Sequence, residues 1–197
     1  MKKGSAIILS RIVSPYIIVP LTALISILTN SPTSAEVIVW TAVIFGLAFF
    51  PPAIDLIAGY RYKRIPDLLL LDKADRRELY VVTTISITLS TVVLTGIDAA
   101  PKVIVMSAAG ALICAVLGIV NQFTKVSLHT ATITWSATML GFAVNGIFFL
   151  ALTLVPIVGW ARIFRERHTL IQVVLGALIA FGTSALVWWG AQILALI

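Results

Sequence analysis

Charge is scarce in this chain: Asp, Glu, Lys and Arg together make up 11% of it, against 60% hydrophobic residues. A soluble fold of 197 residues has too little interior to hide that much apolar surface, so a bilayer is the expected solvent. Cysteine occurs once, at Cys114 inside an apolar run, which excludes a disulfide framework, a CxxC pair and a thiolate metal site. The two histidines, His129 and His168, lie far along the chain from it, so no transition-metal site and no other cofactor is expected. Acids are few, 8 against 14 bases. In a soluble protein that excess would suggest nucleic acid. Here the bases sit in short connections between apolar runs, where topology and anionic headgroups explain them and no nucleic-acid partner is expected.

What is present is a succession of apolar runs. Residues 10–29, 37–59, 79–96, 103–121, 129–144, 147–160 and 170–196 read as seven helices. At ~20 residues per span they leave short loops and no second domain. The expectation is an all-α, polytopic transmembrane bundle, a single domain over residues 1–197, with six spans as the alternative because the sixth run is short. Asn145-Gly146 is the turn signal that divides the fifth run from the sixth. Pro51-Pro52 should disturb the second helix by removing two donors. Met1-Lys2-Lys3 followed by an apolar run resembles a signal peptide, but no small-residue cleavage site follows, so the run is read as the first span.

Seven spans place the N-terminus, residues 60–78, the turn at Lys125 and residues 161–168 on one membrane face, with thirteen of the fourteen Lys and Arg; the other face has only Lys102. Setting aside five that could bind a ligand still leaves eight against one, so the N-terminus and the basic loops are expected in the cytoplasm. Trp40 and Trp188-Trp189 read as anchors at the membrane interface, and Gly176, Gly182 and Gly190 as close helix contacts.

Three segments, each separated by a pair of spans, bring cations to that face, and two of them bring a histidine. The first is Arg64-Ile65-Pro66-Asp67, five residues, then Lys73-Ala74-Asp75-Arg76-Arg77; the second is Lys125-Val126-Ser127-Leu128-His129; the third is Arg162, five residues, His168, three residues, Gln172. Singly, each is what a solvated basic loop looks like. Jointly, the only two histidines stand at the face where the cations gather, which points to a phosphate site.

The third segment resembles the Ser-Arg, five residues, His, three residues, Asp motif of the type 2 phosphatidic acid phosphatase superfamily, membrane phosphatases of lipid and polyprenyl phosphates. The second resembles its Pro-Ser-Gly-His. The first is similar to a divergent membrane branch with Lys-Ile-Ser-Asp, five residues, Arg, two residues, Arg, matched by Arg64, Asp67, Lys73 and Arg76. The resemblance runs from about residue 61 to 176, and the chain departs from it at Ala161 for Ser, Leu128 for Gly and Gln172 for Asp. It implies that His168 is the nucleophile and His129 the acid for the leaving lipid oxygen. Arg64, Lys73, Arg76, Lys125 and Arg162 would grip the phosphate, with the Ser127 hydroxyl as a neutral donor and no metal involved. Gln172 would orient His168 through its amide oxygen without offsetting the charge that grows on the ring. Asp67 and the intramembrane Asp55 are candidate supporting acids; Asp55 could equally pair with Arg61 or Lys63. A phosphatase with the bilayer and a lipid phosphate as its partners is the leading expectation, with a homo-oligomer left open. A carrier or flippase that keeps the cations without hydrolysis is the alternative. A magnesium-dependent prenyl transferase would want denser acids than Asp72 and Asp75.

Overall fold

Pro15 has no N–H to give to a preceding turn, and its ring crowds the carbonyl four residues back, so the first span is built in two pieces. The chain is seen in a computed structural model that describes residues 3–64 and 75–197. The pieces are α1 (Lys3–Ile12) and α2 (Pro15–Asn30), with Ser14 capping the start of α2. A Thr33–Glu36 capping box opens α3 (Ser34–Val43). The disturbance expected from Pro51-Pro52 appears as a π-helical stretch, Ile44–Phe49, where the bonding slips by one residue before α4 (Phe50–Arg61) resumes. The long helices α5 (Asp75–Gly96) and α6 (Pro101–Val120) form a hairpin. There follow α7 (Leu128–Ala143), a 3-10 stretch over Gly146–Thr153 that Asn145 caps, α8 (Leu154–Phe164) and α9 (Leu170–Ile193).

Six helical stretches are long and apolar enough to cross a membrane: Ala6–Asn30, Ser34–Arg61, Arg76–Gly96, Pro101–Val120, Gly146–Phe164 and Leu170–Ile193. With α7 as a shorter seventh, the all-helical fold is that of an integral membrane protein, and the described residues contain no strand. The large apolar side chains left exposed, such as Ile38, Ile85 and Leu178, suit a lipid-facing surface.

At 16 residues, α7 is enclosed by its neighbours: 13 of those residues are buried. It packs against α2, α8 and α9, and its Ser136 hydroxyl meets Thr22 of α2. The main core runs from Tyr80 and Leu117 through Trp135 and Met139 to Trp188.

Two expectations about side chains are corrected. Trp40 and Trp188 are 3% and 7% exposed and belong to the core, Trp188 stacking on Phe142 at 5.4 Å, while Trp189 is exposed. Aromatic rings near a helix end bury themselves when a neighbouring helix offers a partner face. Gly182 and Gly190 face open space; Gly176 alone of the three is a close contact.

Candidate phosphate site

At one end of the bundle, the start of α5, the 121–127 connection and the turn between α8 and α9 meet. Arg76, on the first turn of α5, is 5% exposed and donates from Nη1 to the Val126 carbonyl at 3.2 Å. The next residue, Ser127, is fully buried; its N–H donates to the Gln172 carbonyl at 3.2 Å. Thr130 adds a second tie, its hydroxyl donating to the Val173 carbonyl at 3.0 Å.

The ties require close approach of two backbones, and Gly176 permits it. A Cβ there would stand 2.7 Å from the Ser127 carbonyl oxygen and 3.0 Å from the Thr130 hydroxyl. Since backbone cannot swing aside as a side-chain tip can, Gly176→Ala is expected to cost about 1–3 kcal/mol. Thermal unfolding in detergent measures that loss.

His168 is buried, and its Nδ1 lies 3.2 Å from Oε1 of Gln172. An amide oxygen only accepts, so Nδ1 carries the proton and Nε2 presents a lone pair. The capping box at the start of α9 orients the amide: the Thr169 N–H donates to the same Oε1, and the Gln172 N–H donates to the Thr169 hydroxyl. Burial first, then the Arg162 and Arg76 guanidiniums, push the His168 imidazole down to about 3. The ring is therefore neutral at physiological pH. Between about 3 and the ordinary value near 6.5, the unfolded chain takes up a proton that folded His168 refuses. Stability should accordingly fall with falling pH through that window, and His168→Asn should flatten the slope in thermal unfolding.

His129 is oriented the opposite way. Its Nε2 meets the Ser10 carbonyl of α1 at 3.2 Å, which leaves Nδ1 as the nitrogen free to exchange a proton. It lies within electrostatic reach of Arg162 and of His168.

Arg162, in the last turn of α8, has a buried Nε without a partner, and the charged groups acting on it are all cations: Arg165, Arg76 and Arg167. The Ser127 hydroxyl is likewise buried without a partner. Lys125 acts on His168 from the second segment. Desolvated cations acting on one another, and buried donors without partners, cost free energy that an anion would recover. The arrangement suits a tetrahedral anion held by two guanidiniums, an ammonium and a hydroxyl beside a neutral ring nitrogen.

No family model, curated protein or solved structure matches the chain.

Of the residues singled out from sequence, Arg76, Lys125, Ser127, His129, Arg162, His168 and Gln172 come together. Arg64 does not join them. It forms ion pairs with Asp55 at 3.3 Å and with Glu78, its side chain 45% exposed. The two fates are linked: Asp55, weighed as an acid for the histidines or a partner for Arg61 or Lys63, is instead the partner of Arg64, because the turn after α4, where Lys63 takes a positive φ and the Arg64 N–H bonds to the Gly59 carbonyl, folds Arg64 back toward the helix. Lys73 and Asp67 lie outside the described residues. Sequence reasoning missed the Ser10 carbonyl and the phenols of Tyr16 and Tyr80 that neighbour Arg76. A cavity of about 410 Å³ lined by Ile7, Arg165, Glu166 and Arg167 opens beside the α8–α9 turn.

Proposed function

We propose that the chain is a membrane lipid phosphatase acting on a phosphate monoester or diphosphate of a polyprenyl or glycerolipid substrate, by way of a phosphohistidine. The observation that carries this reading is the half-buried Arg162, surrounded by other cations and with an unpartnered Nε, beside the neutral His168. It agrees with the resemblance of the three segments to the type 2 phosphatidic acid phosphatases.

In the first step the Nε2 lone pair of His168 forms a bond to phosphorus. The bond to the lipid oxygen breaks, and a proton that Nδ1 of His129 takes up as the phosphate anion binds goes to that oxygen as the alcohol leaves. In the second step water attacks the phosphohistidine, gives a proton back to His129, and inorganic phosphate departs with His168 neutral again. Arg76, Arg162, Lys125 and the Ser127 hydroxyl stabilise the equatorial oxygens, which is where phosphoryl transfer gains most. The lipid tail stays in the bilayer, and by the distribution of positive charge the site faces the cytoplasm.

The test is release of phosphate from a panel of lipid phosphates and diphosphates by the purified protein. Release that requires His168 supports the enzyme; binding without release supports the carrier that a glutamine at position 172 would suit. Gln172 should itself be tunable. Gln172→Leu removes the acceptor that fixes Nδ1–H and should cost about 10–100-fold in kcat, the usual effect of removing such a support. Gln172→Asp restores a charge facing the developing imidazolium and should raise kcat about tenfold, the equivalent of one pK unit. Initial rates on one lipid phosphate check both.

A further inference from the structure

In an unbroken helix, the N–H of residue 14 would bond to the carbonyl of residue 10. Here it does not. The Ser14 N–H turns to the Arg11 carbonyl at 3.3 Å, Ser14 becomes the cap of α2, and Pro15 supplies no N–H at all. The Ser10 carbonyl, with Ser10 itself only 4% exposed, is thereby released from the helical ladder, and it receives Nε2 of His129, a residue 119 positions away, at 3.2 Å. The position of α1 is fixed independently, since it packs on α8, whose last turn holds Arg162.

We propose that the Ser10 carbonyl is the positioning group for His129, released for that use by Pro15, so that the first helix belongs to the phosphate site. A carbonyl can only accept, so it holds the proton on Nε2 and leaves Nδ1 as the nitrogen that exchanges a proton. The two histidines then carry opposite tautomers. His168 keeps Nδ1–H on Gln172 and offers Nε2; His129 keeps Nε2–H on Ser10 and exchanges protons at Nδ1. Nδ1 takes up a proton as the anion binds and gives it to the leaving oxygen; the ring, neutral again, has kept its Nε2–H throughout, so the Ser10 bond survives both states.

The roles of acid and nucleophile rest on the phosphatase reading, but the tautomers do not, and they can be read separately. The chain has only two histidines, so the full-length protein labelled with ¹⁵N-histidine in detergent gives two pairs of ring nitrogens, assigned by the pair lost in His168→Asn. At neutral pH, one ring is expected as the Nε2–H tautomer, His129, and the other as Nδ1–H, His168. In Pro15→Ala the ladder can close on Ser10, so the His129 ring should populate both tautomers while His168 is unchanged, and phosphate release should fall about tenfold. Pro20→Ala, which removes a proline inside α2, should leave both rings as they were. A wild-type His129 ring in the Nδ1–H form, or one that stays wholly Nε2–H in Pro15→Ala, overturns the assignment. If no lipid phosphate is hydrolysed yet the ring responds to Pro15→Ala as described, the phosphatase reading fails and the Ser10 assignment stands.

Discussion

His168→Ala is expected to abolish phosphate release, by about four orders of magnitude or more, while the protein extracts and unfolds like wild type. The size follows from the proposed role: without a nucleophile no covalent intermediate can form, and what survives is binding and oxyanion stabilisation alone. The fold tolerates the change because His168 sits in the short turn between α8 and α9, and its partner Gln172 retains the Thr169 N–H. A coupled phosphate assay with the best lipid substrate checks the rate. Removing the ring should leave lipid phosphate binding within about tenfold, since Arg76, Arg162 and Lys125 stay in place.

Arg162→Ala gives the second large effect, and a two-sided one. Losing one preorganised donor to a transition-state oxygen costs about 10²–10³ in kcat. Yet the side chain is desolvated among Arg165, Arg76 and Arg167 with its Nε unpartnered, so its removal relieves repulsion in the empty protein. Activity should therefore fall while the melting temperature in detergent holds or rises, the trade expected of a residue kept for function rather than stability. Arg162→Lys should recover part of the rate only, because an ammonium lacks the planar fork. A drop in both rate and stability would mark Arg162 as structural instead.

Much of this architecture was legible because it depends on short-range patterns. Unbroken apolar runs set the helices, and the Asn145-Gly146 turn separates α7 from the stretch that becomes α8. The four-residue spacing of His168 and Gln172, with Thr169 between them, puts the amide on the ring once α9 starts where Thr169 caps it. Positions that depend on how helices lean on one another were not legible. Arg64 looked like one cation among many, but the turn that follows α4 delivers it to Asp55 and Glu78. Trp188 had the composition of an interfacial anchor, but Phe142 of α7 lies flat against it. The Ser10 carbonyl was out of reach for a different reason. A backbone acceptor leaves no mark in a pattern of residue types, and only Pro15, read as a helix break that frees a carbonyl, could have signalled it.

Gly176 shows how one position links these levels. Its missing side chain lets α9 approach the Ser127 carbonyl, which sets Ser127, Arg76 and the Gln172 carbonyl in one cluster.

The most direct test of the central claim, that cations from three separate turns grip one anion beside His168, is an experimental structure with orthovanadate, a phosphate analogue, bound. The account predicts vanadium next to Nε2 of His168, with its oxygens on Arg76, Arg162 and the Ser127 hydroxyl. Vanadate seated instead in the cavity lined by Arg165 and Arg167, or touching only one of the three segments, would contradict it.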